Sequence, residues 1–149
     1  MDAIDTLHDY ISALWAKAVD TPFPAIPRRA RGDGTVYVEW RRGSYWLICE
    51  ERGQEYWRRE AKDMDDASFQ LISIVVGEVV RDRELAVREK ASDDYSRWNW
   101  MHQEIELMSR IKESFGARIR ANYADVLTRS PLSKNEIDSA RYPIPSSLI

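Results

Sequence analysis

Apolar side chains recur at Ile4, Leu7, Ile11, Leu14, Trp15 and Ala18. Steps of three and four residues lay them in one stripe along a helix over residues 2–19. Asp2 or Asp5 stands near the positive N-terminal end of that helix, where a carboxylate is favourable. Pro22, Pro24 and Pro27 then remove backbone donors and force extended conformations, which predicts a loop as far as Gly34. Beyond it the period shortens to two. Residues 35–40 alternate Val36, Val38 and Trp40 with Tyr37 and Glu39. Residues 44–50 are apolar on both faces through Tyr45, Trp46, Leu47, Ile48 and Cys49, as a central strand should be. Residues 54–60 carry Tyr56 and Trp57 among charges. Arg41-Arg42-Gly43 and Glu51-Arg52-Gly53 are Gly-ended turns too short for a parallel crossover, so the three strands form an antiparallel meander.

The rest of the pattern is helical. Asp63 caps a helix that begins near Met64, with Asp65 and Asp66 in its first turn and Phe69, Ile72, Val76, Val79 or Val80, and Val87 as its stripe. Ser92-Asp93-Asp94 reads as a break or a second cap. A second long helix starts near Tyr95, with the stripe Trp98, Met101, Ile105, Met108 and Ile111. Gly116 marks a kink or short break. Ile119, Tyr123, Val126 and Leu127 then continue as a last helical segment ending before Pro131, with Arg129 in its C-terminal turn. Polar residues with Pro143 and Pro145 make 132–149 an extended or disordered tail. The expected fold is α+β: an N-terminal helix, a three-stranded antiparallel meander, then two long helices and a shorter C-terminal helix packed on one face of the sheet. Residues 1–131 are expected to form a single domain.

Composition narrows the function. The chain has 149 residues, and 22 Lys+Arg against 25 Asp+Glu give a net charge of −3. No apolar run approaches the ~20 residues that a membrane span needs, so no membrane partner is expected. Met1-Asp2-Ala3-Ile4-Asp5 is acidic and does not read as a secretory signal. A single cysteine, Cys49, excludes an internal disulfide and fits a reducing compartment, so a cytoplasmic location is expected.

Catalytic chemistry finds no support in the motifs. His8, His102 and Cys49 are too scattered for a metal site. His102 has Glu104 and Glu106 nearby, both expected to point away from it, and no nucleophile accompanies it. Phosphate-binding glycine motifs are absent, and Cys49 reads as a packed thiol. The chain is therefore expected to have no catalytic residue, no cofactor and no metal, and not to be an enzyme. Six Trp and seven Tyr cluster with arginines instead. Arg28-Arg29-Ala30-Arg31, Arg41-Arg42 and Arg58-Arg59 lie beside Tyr45, Trp46, Tyr56 and Trp57, and aromatics flanked by cations can stack single-stranded bases. Against nucleic acid stand the acidic balance and Glu50, Glu51, Glu55 and Glu60 in the same stretch. Tyr, Trp and Arg also dominate protein interfaces. The candidate contact residues are Trp46, Arg52, Tyr56, Trp57, Arg58 and Arg59 from the sheet, with Arg97, His102 and Arg110 as helical alternatives. Trp98 is read as core.

Two stretches carry a more specific pattern. One is Tyr45-Trp46-Leu47-Ile48-Cys49-Glu50-Glu51-Arg52-Gly53-Gln54-Glu55, a Tyr ahead of a Glu-Arg-Gly-x-Glu turn. The other runs from Arg97 through Gln103, Leu107 and Met108 to Ile111 on one helix, followed by Phe115, Arg118, Leu127 and Pro131. Over residues 1–131 this resembles the Immunity protein 63 family of bacterial polymorphic toxin systems. It departs from that pattern in Phe115, where Trp is expected, and in a longer tail after Pro131. The resemblance implies an α+β fold, no catalytic residues to carry over, and a binding function: occluding a cognate, co-encoded toxin protein inside the producing cell. A charge of −3 is too mild to point to a basic nuclease. The alternative is a sheet-based single-stranded nucleic-acid-binding or regulatory adaptor protein.

Overall fold

Asp2 opens the first helix by accepting the Asp5 N–H on its side chain at 2.8 Å, which satisfies one of the donors a helix start leaves unpaired. The computed structural model describes residues 1–87 and 95–149. In chain order these form α1 (Ala3–Trp15), β1 (Asp33–Arg41), β2 (Ser44–Glu51), β3 (Gln54–Glu60), α2 (Met64–Val87), α3 (Arg97–Ile111), α4 (Glu113–Arg129) and α5 (Lys134–Asp138), with a closing 3-10 turn at Ser146–Leu148. This is the expected α+β order of a helix, an antiparallel sheet and further helices. Ser92-Asp93-Asp94 lies outside the described residues. The chain divides into two compact units, Met1–Ile72 and Ser73–Ile149.

In the first unit, α1 buries Ile4, Leu7, Ile11, Leu14 and Trp15, the predicted stripe, and packs on β1. It stops at Trp15, short of residue 19. The Trp15 indole N–H donates to the Thr21 carbonyl at 2.8 Å, and its ring meets Phe23 edge-on at 5.2 Å. His8 Nε2 donates to the carbonyls of Phe23 and Pro24 at 3.3 and 3.2 Å, so this histidine fastens the proline loop. The sheet order is β1-β2-β3, both pairings antiparallel. Each hairpin turns on two residues of positive φ, Arg42 and Gly43 (53° and 77°) and Arg52 and Gly53 (53° and 78°). That twist matches the flanking strands. Tyr45 is anchored by its hydroxyl, which donates to the Ala3 carbonyl at 2.7 Å. Asp63 caps α2 by accepting the Asp66 N–H at 2.7 Å.

In the second unit, Ser96 caps α3 by accepting the Trp98 N–H at 3.3 Å. The α2 stripe holds through Val76 and Val80, but Val87 is exposed. The break expected at Gly116 falls instead at Lys112, whose extended backbone (φ −159°, ψ 128°) separates α3 from α4. Gly116 is a buried contact point inside α4. Residues 132–149, expected as an extended or disordered tail, run extended only in part. Ser133 and Glu136 close a reciprocal capping box on α5. Leu132 and Leu148 join a cluster with Trp98, Met101 and Leu127, against which Tyr142 and Ile144 also pack. The prolines break the helix without preventing the apolar residues between them from docking.

Candidate functional site

The register of the sheet decides which nominated residues can act together. Glu39 pairs with Trp46 and Tyr37 with Ile48 across β1 and β2, and Ile48 pairs with Arg58 across β2 and β3. These five side chains therefore share one face. Ile48 and Tyr37 are buried, while Trp46 and Glu39 are half-buried and Arg58 is exposed. The Arg58 guanidinium donates to Glu55 Oε1 from Nε at 3.1 Å and from Nη2 at 2.9 Å. It also lies 3.7 Å from Glu39 and 5.9 Å from the centre of the Trp46 ring. The hydrogen bonds that Arg58 donates to Glu55 raise its pKa above the ordinary value, with the charges of Glu55 and Glu39 contributing. Tyr37 donates to Glu50 at 3.3 Å, and burial, then Glu50, pushes its phenol upward. The result is a half-buried tryptophan framed by Arg58 and by carboxylates, with Arg41 also paired to Glu39 at 3.5 Å.

The other sheet nominees do not join this group. Trp57 lies opposite Cys49 and Arg59 opposite Leu47, on the reverse face, where Arg59 stacks over Trp57 at 4.3 Å. Tyr56 falls at the irregularity between Cys49 and Glu50 and is 60% exposed. Arg52 forms the tip of the second hairpin, its N–H donating to the Gly32 carbonyl at 3.1 Å. Cys49 is a half-buried thiol that donates to the Gly34 carbonyl at 3.3 Å.

The helical nominees sit in the second unit, and two of them are engaged within it. Arg97 donates to Glu136 from Nε at 2.8 Å and to the carbonyls of Ser130 and Pro131 at 3.0 Å each. Arg97 holds the Glu136 carboxyl down at about 2. The His102 ring stacks on Tyr142 at 4.3 Å, with Trp98 at 5.7 Å. Its Nε2 lies 3.4 Å from Glu106, contrary to the expectation that both neighbouring glutamates point away. Residues four apart share a helix side, whereas Glu104, two residues on, faces elsewhere. Arg110 is exposed in the last turn of α3.

Glu104 marks a second site. It is 5% exposed and lies in a cleft of about 520 Å³ lined by Arg81, Glu84, Leu85, Tyr95, Trp100, Glu104 and Tyr123. The Tyr123 hydroxyl donates to Glu104 Oε2. Burial lifts the carboxyl to about 7 although Arg81 pulls it down. Trp100 meets Tyr123 edge-on at 5.7 Å, and its indole N–H donates to the Tyr95 hydroxyl at 3.0 Å. Sequence reasoning passed over this site, yet a signal was present. Glu104 is three residues from Met101 and four from Met108, so it stands inside the apolar stripe of α3. Among the described residues, no three of His, Cys, Asp and Glu come together as metal ligands, and no described helix is long and apolar enough to cross a membrane.

A family model described as Immunity protein 63 matches residues 42–125. The match runs from the first hairpin turn into α4 and includes Trp46, Ile48, Arg58 and Glu104, while Tyr37 and Glu39 lie ahead of it. No curated protein matches the chain, and no solved structure does.

Proposed function

The chain belongs to the Immunity protein 63 family, and from that premise we propose that it binds and neutralises a cognate toxin encoded beside it, in the cytoplasm and without catalysing a reaction. The family match over more than half of the chain carries this reading. The face built by Trp46 and Arg58 supports it. A tryptophan with a polar handle and an arginine already oriented by Glu55 and Glu39 lose little freedom on binding, which is the character of an interface hot spot. The ring of opposite charges around them suits steering toward one partner and rejection of others. We assign toxin contact to this face, with Tyr56 and Arg52 at its margin. Arg97 and His102 instead tie α3 to the C-terminal segment.

The nucleic-acid reading draws less from the same residues. Arg28 is held by Asp2 and Asp5 at 2.5 and 2.7 Å, and Arg58 is held by Glu55. A phosphate-binding surface needs its cations uncompensated.

Mixing the purified chain with the toxin domain encoded next to it tests the proposal. Elution as one complex from size exclusion is expected. Separate elution at micromolar concentration would sink it.

A further inference from the structure

The cleft around Glu104 has no part in the interface assigned above. We propose that it is an anchor pocket for a basic side chain, lysine or arginine, presented by the toxin; the proposal rests on the reading that the partner is a protein toxin. At about 520 Å³ the cleft has the size of a small-ligand site. Tyr95, Trp100 and Tyr123 contribute aromatic rings, whose faces attract cations most strongly where water is excluded.

The charges in the cleft are unequal in their engagement. Glu84 Oε1 accepts from Gln103 at 2.5 Å and from Arg141, so its charge is already compensated. Arg81 is folded back along its own helix, Nε donating to the Gly77 carbonyl at 3.1 Å. Gly77 makes room for this: a β-carbon there would lie 2.9 Å from Arg81 Nη2 and 3.3 Å from Glu104 Oε1. Arg81 lowers the Glu104 carboxyl, but burial outweighs it. Glu104 is thus a buried acid that accepts from Tyr123, with Arg81 beside it as a cation whose pull burial outweighs. A neutral occupant would take water from the carboxylate without supplying a charge, and an anionic one would meet Glu84 and Glu104. An ammonium or guanidinium group between the rings would replace that water with a charge of the favourable sign.

The test uses the full chain, labelled with nitrogen-15, and small probes rather than the toxin. Nα-acetyl-lysine methylamide and its arginine counterpart are titrated at pH 8, with the neutral Nα,Nε-diacetyl-lysine methylamide as comparison. The readout is the Trp100 indole N–H resonance, identified by its loss in Trp100→Phe. Both cationic probes are expected to shift it saturably, the neutral one at least tenfold more weakly. Glu104→Gln should lower the affinity for the lysine probe at least tenfold. At pH 6, where a proton holds Glu104 neutral between Arg81, Glu84, Tyr95 and Tyr123, cation binding should weaken. No saturable shift, or equal binding of the neutral probe, would overturn the proposal, and the comparison of probes on the wild-type chain stands even if Glu104→Gln does not fold. Because no toxin enters the experiment, a chain that takes the lysine probe yet fails to protect against its toxin overturns the immunity reading and not the pocket chemistry.

Discussion

Gly116 is pressed against Ser109: a β-carbon on Gly116 would lie 2.6 Å from Ser109 Cβ and 2.7 Å from Ser109 Cα. Ser109 is in the last turns of α3 and Gly116 in the first turn of α4, so this contact fixes how closely the two helices approach at their junction. Because a backbone atom is involved, nothing can swing aside. Gly116→Ala should destabilise the chain by about 1–3 kcal/mol, as overpacking does, more than offsetting the ~1 kcal/mol gained by Ala over Gly in a helix. Gly77→Ala should be milder, within about 1 kcal/mol of wild type, since its nearest clash is with the mobile end of Arg81. Urea denaturation of the two variants compares them directly; equal losses would contradict the account.

Glu104 should make stability fall as pH rises. Its folded carboxyl holds a proton up to about 7, while in the unfolded chain it releases it near the ordinary value of 4.5. Between those limits the native state binds more protons, so raising the pH favours unfolding. The loss is on the order of 2 kcal/mol after allowing for solvent at the open side of the cleft. Glu104→Gln should remove this slope between pH 4.5 and 7, read as the difference between the two unfolding curves. Tyr123→Phe should steepen it, by about 1–3 kcal/mol at pH 8, because the carboxylate loses a buried donor.

Arg97 and Glu136 give the opposite dependence. The folded Glu136 carboxyl lies near 2, below its ordinary 4.5. Its contribution is therefore complete above 4.5 and is lost as pH falls toward 2. Arg97→Ala should cost about 2 kcal/mol at pH 7 and abolish the acid-side loss attributable to this pair. Hydrogen exchange should quicken at residues 130–138 first, since the Arg97 side chain bonds to Ser130, Pro131 and Glu136.

On the sheet, Trp46→Ala and Arg58→Ala should each weaken toxin binding about tenfold to a hundredfold, the range of interface hot spots. Trp57→Ala and Arg59→Ala, on the reverse face, should change it by less than about threefold, as residues outside the hot spot do. Calorimetric titration of the four variants checks this. The reverse ranking would move the interface to the other face.

Much of the architecture was legible because it rests on short-range rules. The step from a period of three and four to a period of two located α1 and the strands, and two Gly-ended turns enforced the meander. Asp63 announced the start of α2. The C-terminal segment was not legible, because its order comes from long-range partners. Leu132 and Leu148 dock beside Trp98, and Glu136 meets Arg97 across 39 residues of chain. Strand register likewise depends on pairing, which is why Trp46 and Trp57, alike in sequence context, fall on opposite faces. The cleft was missed for a related reason: Arg81, Glu104 and Tyr123 come from three different helices, and only the carboxylate within an apolar stripe hinted at it.

The central claim is that this chain protects a cell from its cognate toxin, and a growth assay tests it most directly. The adjacent toxin domain is induced in cells carrying wild-type chain, a Trp46→Ala, Arg58→Ala double variant shown to fold, or no chain. The account predicts growth with wild type, killing with no chain, and partial or lost protection with the double variant. Killing that proceeds equally with and without the wild-type chain would contradict it.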